Sequence, residues 1–314
     1  MKTQTKVAMG IMFSTSAWFG LQAWFTQSAI HASSALAFNT ERFIIAALVL
    51  GGICLVTRAR FTKRAVRGGF IVGLFFAITI GLESQALAYG EAGRVTFLGN
   101  LFIAFMPFLA YFVRSEKLYP AAILGSVIML LGAQQLLAVQ NDSSIGDIYA
   151  ILRAAVCAIM LLLVGHYAGE DWRVSCFVNV TVVAIISLGA AVMTEQTQFS
   201  LQTDVLLPAI ISALIGSVGS TVLMMWCGRH LSSTVLGVFI FLDSPFSVIW
   251  GVILYQNALV ASSLLAYLVI GIGSFLALTA GMLSFNIRLV DRLVPARVNT
   301  LGSVKRDVAS ALEG

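Results

Sequence analysis

The chain has 314 residues, of which 59% are hydrophobic and only 11% charged, with a net charge of +5 and a mean hydropathy of +0.94. Soluble domains carry about 25% charged residues, so most of this chain is expected in lipid and the soluble enzymes are excluded as a class. The positive charges lie in short stretches between apolar runs, which reports membrane orientation and excludes a nucleic-acid partner.

Ten apolar segments of roughly 17–25 residues, the length of helix that crosses about 30 Å of hydrocarbon, are predicted near 8–30, 41–57, 69–90, 95–113, 119–139, 148–168, 174–193, 205–227, 232–254 and 262–283. They are numbered here as spans 1 to 10, and they make the chain an all-α polytopic membrane protein. The N-terminal MKTQTKVAMG runs into a full span with no clear small-residue cleavage site, so it is read as retained and not as a removed signal peptide. Links between spans are short, and Gly90–Arg94 and Gly228–Leu231 mark tight reversals. Cys54, Cys157, Cys176 and Cys227 have no paired spacing, and His31, His166 and His230 are scattered near helix ends. No disulfide framework, metal site or cofactor is indicated.

If the N-terminus is cytoplasmic, 16 of the 19 Lys and Arg residues fall on the cytoplasmic side. They include the cluster Arg58, Arg60, Lys63, Arg64 and Arg67. Arg94 stands alone on the opposite side, and Arg42 and Arg153 lie within spans. Both termini are therefore expected in the cytoplasm, with the chain a multi-pass protein of a bacterial-type inner membrane. The basic tail, 284–314, is either a short amphipathic segment against anionic lipid or a solvated extension.

One stretch recurs. Aligned without gaps, 79–108 and 217–246, 138 residues apart, match at Gly81/Gly219, Gly90/Gly228, Thr96/Thr234, Leu98/Leu236, Gly99/Gly237, Pro107/Pro245 and Phe108/Phe246. Helix-breaking residues held in register imply an internal duplication. Five spans per copy is an odd number, so the second copy, 140–283, must enter the membrane inverted relative to the first, 1–139. Inverted repeats of this kind build secondary transporters with a site near the midplane.

Three features resemble the drug/metabolite transporter superfamily in its ten-helix form with two EamA-type repeats. They are Glu41-Arg42-Phe43 opening span 2, Ala88-Tyr89-Gly90 before span 4, and Pro107 followed by Ser115-Glu116-Lys117-Leu118 and a fifth span bearing Gly125 and Gly132. The second copy departs from the pattern, with Tyr255-Gln256-Asn257 where an acidic residue is common. The resemblance implies that spans 1–4 and 6–9 surround a central cavity, with spans 5 and 10 at the periphery.

An ionised side chain at the bilayer centre costs about 2.5–3.5 kcal/mol. Asp243, at the centre of span 9, and Glu83, deep in span 3, must therefore face protein or a wet cavity, where they would set charge preference or exchange protons. Arg153 lies closer to a span end and is expected to snorkel. Arg42 is expected at an interface or outer vestibule. Trp18 and Gln22 share a stripe of span 1, Asn100 follows Thr96 on span 4, and Thr79 lies one turn before Glu83, completing a candidate pocket. The small residues Gly216 to Thr221 of span 8 read as a close-packing patch. Pro107 and Pro245 are candidate hinges, since each removes a helical hydrogen bond.

The expectation is a secondary transporter, an exporter of a small metabolite, amino acid or amphiphilic cation, working by alternating access with protons as candidate coupling ions. An importer of the same fold and a membrane-embedded sensor or scaffold are the rival readings, and a homodimer is left open. No P-loop is present, and no catalytic constellation accompanies the two acids, so the chain is not read as an enzyme.

Overall fold

The computed structural model describes residues 3–114, 119–139, 145–167, 171–194, 203–223, 240–256 and 263–277. Every element among them is helical. We number them α1 (Thr3–Ala32), α2 (Ala35–Val56), α3 (Lys63–Tyr89), α4 (Ala92–Gly99), α5 (Phe102–Arg114), α6 (Pro120–Val139), α7 (Ile145–Tyr167), α8 (Trp172–Met193), α9 (Thr203–Ile211), α10 (Asp243–Tyr255) and α11 (Ser263–Ala277). A π-helical stretch, Ser212–Gly219, continues α9.

Seven stretches are long and apolar enough to cross a bilayer, with α4 and the start of α5 together making one of them. The 30-residue α1 and the shorter α10 and α11 complete the ten predicted positions. Large apolar side chains such as Leu48, Leu55, Ile185 and Phe275 are exposed on the outer faces. Water would penalise such a surface and lipid accepts it. The turn at Gly228, the residues Thr234, Leu236 and Gly237, the 115–118 loop and the tail 284–314 lie outside the described residues.

Helix ends differ from expectation where capping overrides hydropathy. Helix α3 begins six residues before the predicted start, because the Thr62 hydroxyl accepts the Ala65 N–H and caps a first turn rich in cations. Helix α2 likewise begins six residues early, with the Ser34 hydroxyl accepting the Ala37 N–H. The predicted single helix of span 4 is instead two, broken at Asn100–Leu101. Glycine-asparagine is a poor helical pair, and the Asn100 side chain is committed elsewhere, as described below.

The two halves of the chain interleave. Helix α2 packs on α8, α3 on α7 and α8, and α1 and α4 on α10. Close approach is set by missing side chains, the usual device where lipid removes the hydrophobic drive between helices. A Cβ on Gly20 would lie 2.6 Å from the Asp243 carbonyl oxygen, bringing α1 onto the backbone of α10. Gly125 and Gly273 do the same for α6 and α11, each Cβ position falling within 2.7 Å of the other's carbonyl oxygen. Two groups of buried apolar side chains fill the interior, one around Phe38, Leu87, Leu98 and Ile270 and the other around Phe43, Leu50, Val180 and Val183.

Candidate functional site

The break in span 4 faces the start of α10. Asn100, fully buried, donates through Nδ2 to Asp243 Oδ1 at 2.6 Å and to Ser244 Oγ at 2.5 Å. Ser244 Oγ also donates to Asp243 Oδ1 at 3.2 Å. A side chain that satisfies a carboxylate on another helix cannot also serve its own backbone, so the interruption of one helix and the anchoring of the other are a single event. Between the break and Pro107, the Ser126 hydroxyl of α6 donates to the Ala104 carbonyl, supplying a partner where the helical ladder is irregular. Pro107 lies inside α5, six residues after the break, and Pro245 lies in the first turn of α10.

Glu83 of α3 meets Arg153 of α7, Oε1 to Nη2 at 3.3 Å. Glu83 is 29% exposed and Arg153 15%, so the pair is neither solvated nor fully enclosed. Arg153 rests against Gly99, the last residue of α4, where a Cβ would overlap the guanidinium. Its Nε is buried with no hydrogen-bond partner among the described residues. Asp243 lies within electrostatic reach of Arg153, and Glu83 within reach of Arg42.

Arg42 is held separately. Its Nε donates to Ser217 Oγ at 2.8 Å, and its Nη2 and Nη1 donate to the Gln22 amide oxygen at 2.6 and 3.2 Å with that amide oriented to accept. Gly216, on the π-helical stretch, leaves the space that the Gln22 amide occupies. The polar set thus comprises three clusters, Asn100 with Asp243 and Ser244, Glu83 with Arg153, and Arg42 with Gln22 and Ser217, drawn from α1, α2, α3, the α4–α5 break, α7, α10 and the π-helical stretch. Two carboxylates and two guanidiniums alternate through it, so the local formal charge balances.

The remaining expected pocket residues are placed less centrally. Trp18 is half-buried beside Phe25, ring centroids 6.2 Å apart, and its Nε1 is buried without a hydrogen-bond partner among the described residues. Thr79 is buried and returns its hydroxyl to the Phe75 carbonyl of its own helix. Glu83, Asp243, Asn100 and Gln22 are the four that join the polar group.

Three sequence expectations are corrected. Arg153 does not snorkel, because Glu83 offers a partner at the same depth. Arg42 is not at a helix start: α2 begins at Ala35, which places Arg42 about 10 Å along the helix, and it is 5% exposed. Arg94 is not a free outer-loop cation. It is buried at the start of α4, with Nε and Nη2 on the two oxygens of Asp147 at 2.8 and 2.7 Å and Nη1 on the Leu136 carbonyl at 2.6 Å. Ser217, expected as part of a close-packing patch, also accepts from Arg42, and nothing in the sequence distinguishes Ser244 from the many other serines in spans. The arginines carried a usable signal, since two intramembrane cations matched two intramembrane acids in number.

Residues 6–137 match the family model of the EamA-like transporter family. An "Uncharacterized transporter" of Archaeoglobus fulgidus is 23% identical over 225 residues, covering 71% of this chain and 70% of that protein. A solved crystal structure superposes with a TM-score of 0.63 at 19% identity, over 86% of this chain and 97% of the other, a likeness of fold.

Proposed function

We propose, from the match of residues 6–137 to the EamA-like transporter family and the likeness to an uncharacterized transporter, that the chain is an EamA-type member of the drug/metabolite transporter superfamily, a secondary active transporter exporting a small metabolite, amino acid or amphiphilic cation across the inner membrane by alternating access. The observation that carries this reading is the loosely paired Glu83–Arg153 contact beside a broken helix. A purely structural buried pair would be expected to saturate its hydrogen bonds, and this one leaves Arg153 Nε without a partner among the described residues.

In the proposed cycle the α4–α5 break and the start of α10 are the points where spans 4 and 9 bend, with Pro107 and Pro245 keeping the adjacent turns from closing into regular helix. The inverted halves rock about Asn100 and Asp243. Opening of the Glu83–Arg153 pair as cargo enters would leave Glu83 and Arg153 to face the cargo, a state with different electrostatic energy and hence a different preferred arrangement of the halves. Release of the cargo on the opposite side restores the pair.

The direct test is flux through purified protein in liposomes under an imposed pH gradient, after a thermal-shift screen at two pH values has found a ligand that stabilises the folded state. Glu83→Gln and Asp243→Asn should each lower flux at least about tenfold, equivalent to about 1.4 kcal/mol, and flatten its pH dependence while the protein stays inserted and folded. Wild-type flux with unaltered pH dependence in both variants sinks the assignment. Ligand binding without any flux would favour the sensor reading.

A further inference from the structure

A groove of about 430 Å³ opens on the lipid-facing side of the α3–α8 seam, far along α3 from Glu83, lined by Phe61, Lys63, Val66, Arg67, Phe70 and Val178. Lys63 and Arg67 are four residues apart, as are Val66 and Phe70, so one helical face interleaves two basic side chains with two apolar ones. Val178 forms the opposite wall, and α8 lies close because Gly69 has no side chain there. Phe61 is braced edge-on against Phe177 of α8, ring centroids 6.2 Å apart.

Among the described residues this place carries an excess of positive charge. From Arg58 to Leu82 there are five basic residues and no acidic one. Lys63, Arg64 and Arg67 also crowd the first turns of α3, which has no acidic residue in its first turn. A helix N-terminus carries partial positive charge and favours anions, and Lys63 and Arg67 make no ion pair among the described residues, so these two cations leave a requirement for negative charge. The nearby Asp171 does not meet it, being engaged with Arg173 at 2.7 and 3.0 Å.

We propose that this groove is a binding site for one anionic phospholipid, whose acyl chain lies along Val66, Phe70 and Val178 and whose phosphate is held by Lys63 and Arg67. Charge complementarity selects the occupant: a zwitterionic lipid would fill the apolar wall equally well but would leave the cations at the positive helix end uncompensated. The site is distinct from the transport pathway and does not depend on the transporter reading.

The test is lipid retention by the purified full-length chain, measured by native mass spectrometry and thermal shift with phosphatidylglycerol or phosphatidylcholine added to detergent. Phosphatidylglycerol should bind more tightly and raise the melting temperature more. The double variant Lys63→Gln/Arg67→Gln should weaken phosphatidylglycerol binding about thirtyfold, from roughly fivefold per basic residue, and leave phosphatidylcholine binding unchanged. Val66→Trp should block the diacyl lipid by filling the apolar wall. Equal binding of the two lipids, undiminished preference in the double variant, or an equal shift from inorganic phosphate alone would each overturn the proposal. Disulfide dimers from Val66→Cys beyond the wild-type background would assign the groove to a second copy of the chain and overturn it too.

Discussion

Arg94–Asp147 and Glu83–Arg153 are both ion pairs within helices of this protein, yet they are built to opposite ends. Arg94 makes three hydrogen bonds, two of them to both oxygens of one carboxylate, and the side chains are 4% and 2% exposed. This is the bidentate geometry that fixes a guanidinium in place, and it ties together α4, the end of α6 and the start of α7. Glu83 and Arg153 touch through a single contact of 3.3 Å at 29% and 15% exposure. The first pair joins the ends of three helices through saturated hydrogen bonds, and the second is a single contact in a more open place. Equivalent residue types thus differ here in how completely their hydrogen bonds are met.

Removing one partner at each place tests the contrast. Asp147→Asn should destabilise the fold by about 3–5 kcal/mol, the cost of stranding a buried charge. The expected readout is a large drop in melting temperature or loss of folded protein. Glu83→Gln should cost far less stability, because the pair is more exposed and makes a single contact of 3.3 Å, while altering transport. Comparable melting temperatures for the two variants would erase the distinction.

A subtler intervention is Gly99→Ala. Its methyl group would overlap the Arg153 guanidinium, so the arginine must move or α4 must shift. A loss of about 1–3 kcal/mol is expected from overpacking, with transport impaired even though no charge is altered. Unchanged flux would show that Arg153 has no required position.

The smallest effect belongs to Asp171, at the exposed start of α8. The hydrogen bonds from Arg173 hold its carboxyl below the usual carboxylate range. A lowered folded-state value means that its contribution is present above the unfolded pKa and is lost as pH falls through the folded one. Asp171→Asn should therefore change thermal stability slightly at neutral pH and not at all in strong acid. An effect rivalling that of Asp147→Asn would break the ranking.

Much of this arrangement was readable beforehand, and for physical reasons. Span length and hydropathy report the thickness of hydrocarbon, which is why ten positions were found. The cost of an intramembrane charge singled out Glu83 and Asp243, and Asn100 and Gln22 were found by sharing helical stripes with other polar groups. The break at Asn100 is not legible in the sequence, because hydropathy is blind to whether a polar side chain is bound by groups on another helix. Arg153 was misjudged because a long side chain has two ways to escape lipid, and only the fold decides whether a carboxylate lies nearer than the headgroups. Thr79 was expected in the pocket on spacing alone; a threonine on a helix always has its own preceding carbonyl within reach.

The widened turn at Ser212–Gly219 has a consequence of its own. Successive residues on an α-helix are offset by about 100°, so rewinding that stretch by one residue into regular geometry would swing everything beyond it by about that angle. Ser217 would then point away from Arg42, and the seat that Gly216 offers Gln22 would rotate out of line. The contact between span 8 and the arginine of span 2 thus depends on the local winding of span 8.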